Sequence, residues 1–187
     1  MTDIVSFEPA SESVSTESID PATLAERSGV EYCEETFTHE ERAHCEAGAA
    51  GRAIVGVTNR SGELLLWVDG DGHAILPNVV VDPDADWWAV AREDVTATTS
   101  LAVEFEGVER VRAVDHEVET DTGTTHLETT HHVVFRASPA PATGDRVALD
   151  GDTCDETWTA GWYDHAPVDL DAAGDDSVAA DVRLFLD

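Results

Sequence analysis

The sequence contains no lysine: all ten of its basic residues are arginine, set against 40 Asp and Glu, for a formal charge of −30 at pH 7. A shortage of positive charge on this scale removes the usual route to nucleic acid, whose affinity is assembled from cationic contacts to phosphate. It opposes approach to an anionic membrane for the same reason, so neither nucleic acid nor membrane is an expected partner. Long apolar runs are missing as well. None approaches the roughly 18 residues that a membrane-spanning helix needs, and the start, "MTDIVSFEPASESVSTESID", has neither a basic opening nor an apolar signal core. Cysteine is scarce: Cys33, Cys45 and Cys154 form an odd set with no dense framework, which favours reduced thiols. The expected location is the cytoplasm.

What is abundant is acid. Self-repulsion of such a surface is strong at low ionic strength and is screened to within about 3 Å in molar salt. The composition resembles that of halophile proteins, whose acidic exteriors are balanced by internal salt. In this chain an isolated Asp or Glu therefore says little about chemistry. The length of 187 residues and the apolar share of 42% suit one core with extensions.

Residues 1–19 are rich in Ser, Glu and Asp with no periodicity and read as an acidic disordered tail. Residues 20–50 read as a short helical extension. Asp20-Pro21 is an N-cap followed by proline at the first helical position, and Thr38 with Glu41 forms a capping signal for a turn or two over "HEERAHCEAG". From residue 51 the pattern changes. "RAIVGVTNRSGELLLWV" gives two apolar runs around Asn59–Gly62, a hairpin signal, followed by the brief strand "HAILP" and a helix over "PDADWWAVAREDVTATTSL". "AVEFEGVERVRAVDHEVE" and "THLETTHHVVFRASP" alternate about Gly123 as half-buried antiparallel strands do. A Pro, Gly and Asp-rich loop over about 139–156 leads to an aromatic strand, "TWTAGWYDHAP", and "DDSVAADVRLFLD" has the spacing of a terminal helix.

Hairpin, short strand, marked helix, antiparallel strands, a "GWYD" strand and a last helix resemble, over 51–187, the Nudix hydrolase family. The resemblance implies an α/β fold, a Nudix-like α/β/α sandwich with a mixed sheet, behind the disordered and helical N-terminal extension. The family's signature places a Gly and a Glu before an Arg-Glu pair and a Glu-Glu pair after it. Arg92 and Glu93 match the Arg-Glu, which puts Asn78 at the Gly position and Asp84 at the first Glu position, both altered in type. In the family such a helix gathers three or more carboxylates on one face, and these hold Mg²⁺ against a diphosphate.

In this sequence the acid runs out. The Glu-Glu positions are Thr96 and Ala97, or Ala97 and Thr98 in the register set by Val95 and Leu101. "REDVTATTSL" is one residue longer than the family spacing, which implies a bulge in the helix or a longer exit loop. The helix-ending Gly is replaced by Thr99 or Ser100, so a left-handed cap would be strained and a different ending is expected. Glu93 and Asp94 remain as weak candidate metal ligands, Glu93 also being the one candidate catalytic residue or else an ion-pair partner of Arg92. They are adjacent and point about 100° apart on a helix. Asp84 suits a charge partner at the helix start. Trp87 and Trp88 are neighbours, so one is expected in the core and the other at a sheet edge.

Two histidine sets are candidate metal sites. Cys33, His39, His44 and Cys45 lie in one segment, but their spacing matches no common zinc module, and zinc is not expected. His126, His131 and His132, with His116 on the partner strand, converge only in a register that allows it. On a strand His131 and His132 point to opposite faces, so these imidazoles are expected mostly on the surface.

Two readings follow. The first is a Nudix-fold protein with a degenerate metal site that binds a nucleotide-like small molecule or a partner, with hydrolysis weak or lost. The alternative is an active Mg²⁺-dependent hydrolase of nucleoside diphosphate derivatives whose ligands have moved, for example to Glu104, Glu106, Glu128 or Asp155. The resemblance is compatible with a homodimer in either reading.

Overall fold

The computed structural model describes residues 20–44, 46–71, 73–120, 123–141, 158–167 and 176–186. The acidic tail and most of the loop over 139–156 lie outside these residues. The chain is a mixed α/β fold. Its helices are α1 (Pro21–Leu24), α2 (Trp87–Thr99) and α3 (Ser177–Val182). Its strands are β1 (Glu31–His39), β2 (Gly51–Val57), β3 (Leu64–Val68), β4 (Ala74–Ile75), β5 (Asn78–Val81), β6 (Val103–Thr120), β7 (Gly123–Pro139) and β8 (Thr159–Tyr163).

The larger sheet has the order β1-β6-β7-β2-β5, and the smaller β4-β3-β8. β1 runs parallel to β6 and β2 parallel to β7, while β6 with β7 and β2 with β5 are antiparallel, so the larger sheet is mixed. Alternation decides which residues face which layer. Ala53, Val55, Val133, Phe135 and Ala137 point to one face, where they meet Trp87, Trp88, Ala91 and Val95 of α2. Ile54 and Val134 point to the other, where Leu64, Leu66, Val182 and Leu186 cover them. Helices thus pack on both faces.

Several expectations are corrected. Residues 20–50 are not a helical extension outside the domain. Asp20 does cap a helix at Pro21, its side chain accepting from the Ala22 amide, but that helix has four residues. The segment then forms β1, and the helix expected from Thr38 and Glu41 is absent because Thr38 and His39 are already paired with Glu117 and Val118. The hairpin over 51–68 is also altered. Asn59 organises the turn, its Oδ1 accepting from the Ser61 and Glu63 amides, yet β2 and β3 meet only at an isolated Thr58–Leu64 bridge and part into different sheets. Each strand buries both of its faces, which a solvent-backed hairpin could not do.

Helix α2 runs unbroken from its N-cap Asp86, which accepts from the Trp88 and Ala89 amides. Asp86 therefore takes the role expected of Asp84, which is exposed in the preceding turn at φ 65°. The helix ends at Ser100 in the left-handed region, φ 56°, contrary to the expected avoidance of that cap. Bonds from Thr99 Oγ1 to the Val95 carbonyl and from Thr96 Oγ1 to the Leu101 carbonyl hold this exit. Both Trp87 and Trp88 are buried; Trp88 reaches Phe105 and Phe135 while Trp87 joins the same core.

Candidate functional site

The alternation that carries the core also places polar groups inside it. Arg110, Arg112 and His116 of β6, Thr130 and His132 of β7, and Arg52 of β2 lie on the α3 face of the larger sheet or along its continuation toward β1. Five of the six are buried, and Arg52 is partly buried. Three of the chain's ten arginines thus belong to this polar group. Two carboxylates from outside the sheet meet them: Asp181 on α3 and Glu46 on the loop between β1 and β2, each about 3% exposed.

Asp181 accepts from Arg110 Nη1 at 2.7 Å and from both terminal nitrogens of Arg112, at 2.7 and 3.2 Å. Glu31 and Glu35 of β1 hold the same two guanidiniums from the other side, at 3.1 and 3.2 Å. Such pairs desolvate tolerably because almost every donor has an acceptor. Glu46 accepts from Arg52 Nε at 3.1 Å, Thr130 Oγ1 at 2.9 Å and His132 Nε2 at 3.0 Å. Burial opposes ionisation of Glu46, but the bonds from His132, Thr130 and Arg52 outweigh it and hold its carboxyl well below the usual carboxylate range.

The tautomers follow from the donors. Arginine cannot accept, so Nδ1 of His132 is the acceptor facing Arg112 Nη1 at 3.5 Å, and Nε2–H is donated to Glu46. Thr130 donates its only hydrogen to Glu46 and therefore accepts from Nε2–H of His116 at 2.8 Å. Nδ1 of His116 is then the acceptor opposite Nε2 of His39, also at 2.8 Å. A directed chain of hydrogen bonds runs from His39 through His116 and Thr130 to Glu46.

Beside this network lies a cavity of about 280 Å³. Its polar wall is Glu46, Arg52, Asn78, Arg112, His132 and Asp181; Phe37, Ile54, Ile75, Leu76 and Val178 supply apolar surface. Asn78 is fixed there, donating to the Leu76 carbonyl and accepting from Arg52 Nη1 at 2.6 Å.

Of the candidate residues read from the sequence, Asn78 and His132 line this cavity. Arg92 is exposed, with its guanidinium 5.4 Å from the Phe105 ring centroid and not paired with Glu93. Glu93 and Asp84 are exposed; Asp94 is half-buried, and burial pushes its carboxyl up to about 6. Among the described residues none of these three belongs to a group of three potential ligand atoms within 4.8 Å of one another. Two exposed acids and one whose burial favours the neutral form do not fit a shared Mg²⁺ cluster, which needs converging ionised oxygens. Glu104 and Glu106 are exposed, Glu128 faces the His44 ring, and Asp155 lies outside the described residues.

The one such group among the described residues is His39, His44 and His116. The expectation of surface imidazoles fails for His116 and His132, which are 1% and 6% exposed. The separation of the histidines into two sets fails too, because β1 lies beside β6. His126 stays on the surface near Asp115. Cys33 is a free thiol on β1, and Cys45 and Cys154 lie outside the described residues. A signal for the site was present in "ERVRAVDH", which alternates two arginines and a histidine onto one strand face in a chain poor in cations.

No family model matches the sequence, and no curated protein does. Among solved structures the chain is similar to the dihydroneopterin triphosphate pyrophosphohydrolase of E. coli, at 10% identity over 73% of this chain and 94% of that one, TM-score 0.47. It is similar to the Ap4A hydrolase of C. elegans, at 17% identity over 72% and 96%, TM-score 0.44. A Nudix hydrolase from Nitrosomonas europaea shows 14% identity over 71% and 84%, TM-score 0.42. All three likenesses have TM-scores below 0.5, and what the site can do is read from its own side chains.

Proposed function

We propose that the chain is a Nudix-like protein that binds a nucleotide-like small molecule in the cavity beside Arg112 and Asn78, with hydrolysis weak or lost. The observation that carries this reading is the separation of the two features. The cavity opens on the α3 face of the larger sheet, while Glu93 and Asp94 sit on α2, which packs on the other face, and no carboxylate of α2 lines the cavity.

The lining suits a planar heterocycle. Phe37, Ile54 and Leu76 offer apolar faces, and Asn78, His132 and the carboxylates offer donors and acceptors for its edge. Both arginines of the lining are already paired with carboxylates, so the cavity is not an anion hole for a polyphosphate. Of the two, Arg52 is the nearer to solvent, with a side chain 24% exposed against 4% for Arg112.

The test is titration calorimetry with nucleosides and nucleotides in molar KCl, alongside hydrolysis assays with Mg²⁺ or Mn²⁺. Val178→Trp fills the cavity from its exposed rim on α3 and should weaken binding at least about tenfold, or ~1.4 kcal/mol, without unfolding the chain. Turnover abolished by Glu93→Gln would overturn the reading in favour of an active hydrolase. Binding indifferent to Val178→Trp would place the ligand elsewhere.

A further inference from the structure

His39 from the end of β1, His44 from the following loop and His116 from the middle of β6 are brought together by the parallel pairing of β1 with β6. The ring centroids of His39 and His116 are 5.1 Å apart and nearly coplanar in orientation, joined edge to edge by the 2.8 Å hydrogen bond. The ring of His44 lies 4.3 Å from one and 4.4 Å from the other at interplanar angles of 8° and 11°. These three distances put His44 about 3.5 Å above the middle of that hydrogen bond, at van der Waals contact.

We propose that His39, His44 and His116 bind a single divalent transition-metal ion of the zinc class, with Thr130 and Glu46 as the support behind His116. This is independent of the reading of the cavity. Three features carry it. The donors are imidazole nitrogens, which suit Zn²⁺, Co²⁺, Ni²⁺ and Cu²⁺ over Mg²⁺ or Ca²⁺. The tautomer of His116 is set from behind: its Nε2–H is committed to Thr130 and through it to Glu46, so the lone pair of Nδ1 points into the group. A ligating histidine held at its far nitrogen by a carboxylate relay is the usual support of a bound metal. Third, Nδ1 of His44 accepts from the Glu46 amide at 3.3 Å, so Nε2 carries the ring hydrogen; that nitrogen is buried, with a side chain 4% exposed, and makes no hydrogen bond although Glu128 Oε1 stands 3.1 Å away, so an ion would take the place of its hydrogen. An unsatisfied buried nitrogen beside two others is what an ion would satisfy.

The facing nitrogens of His39 and His116 need little movement. Two imidazoles sharing a tetrahedral ion at about 2.0–2.1 Å stand about 3.3 Å apart, against 2.8 Å across the present hydrogen bond. The ion replaces the proton between them. His44 must turn from its stacked position to present an edge, and it sits on a loop outside the strands. Three ligands leave a fourth position for water or an exogenous donor.

The test uses the full chain in molar KCl with excess Mg²⁺ to saturate the acidic surface. Co²⁺ titration followed by visible absorption, and Zn²⁺ titration by calorimetry, should each show one equivalent bound with micromolar or tighter affinity. His39→Ala and His44→Ala, neither of which carries the Thr130–Glu46 relay, should each weaken this binding at least about tenfold. Zn²⁺ should raise the melting temperature of the parent chain and leave that of His44→Ala unchanged. Absence of a saturable single equivalent, or binding unmoved by both substitutions in folded protein, would overturn the proposal. Binding lost only when Cys33, Cys45 or Cys154 is replaced would overturn it too, assigning the ion to thiolates.

Discussion

Oε1 of Glu46 lies 3.0 Å from Nε2 of His132, joining a loop residue to a core strand 86 positions further along the chain. With Arg52 and Thr130 on the same carboxylate, this contact fastens Glu46 onto the sheet and forms part of one wall of the cavity.

Glu46→Gln should therefore be costly. It removes the charge that Arg52 faces and leaves buried donors poorly matched, and a loss of about 2–4 kcal/mol at pH 7 is expected from denaturant unfolding in molar KCl. The pH dependence has a definite sign. Because the folded carboxyl titrates below its unfolded value, its stabilisation is present above about pH 4.5 and is lost as pH falls below that. The gap between parent and variant should shrink steadily below pH 4.5.

Asp94 carries the opposite sign. Burial raises its carboxyl to about 6, so the folded state favours the protonated form; stability is full near pH 4 and declines as pH rises through about 6. Asp94→Asn should be more stable than the parent by about 1–2 kcal/mol at pH 7 and equal to it near pH 4, read from paired unfolding curves. Equal stability at both pH values would show that Asp94 is hydrated.

The Arg110–Asp181–Arg112 group tests what buried charge contributes. Asp181→Ala should cost about 3–5 kcal/mol by stranding two buried guanidiniums. Replacing all three by Met, Leu and Met should recover most of that loss while abolishing ligand binding at the cavity. Thermal unfolding and calorimetry on the same samples separate the two effects.

Gly51 has φ 149°, and a Cβ there would come within 1.9 Å of the His131 carbonyl oxygen. Gly51→Ala should force β2 away from β7 and cost more than about 3 kcal/mol, measurable as a fall in melting temperature. Gly51→Ser should do the same.

Local pattern was enough for the strands around Gly123, the "GWYD" strand, the helix over Trp87–Thr99 and the terminal helix, because each declares its period within a dozen residues. It failed for β1. "EYCEETFTH" has few core residues, and what makes it a strand is pairing with β6, about 79 positions away. It failed likewise for the parting of β2 and β3, since an Asn-centred turn is equally consistent with a hairpin and with a change of sheet. Of the candidate site, Asn78 and His132 were identified for other reasons, and Arg112, Glu46 and Asp181 were missed, because a polar residue on a half-buried element resembles a solvent-facing one until its face is known.

The sequence by itself determined the acidic, lysine-free surface and the loss of carboxylates from the last turns of α2, since both are matters of residue identity. It also lacks an apolar run of membrane-spanning length, and among the described residues no helix is long and apolar enough to cross a membrane. Only the tertiary structure decided that three histidines separated by as many as 77 positions share one group and that Glu46 joins them to the cavity. Such contacts depend on strand order and register, and a one-residue slip in register would turn the strand side chains among them to the opposite face.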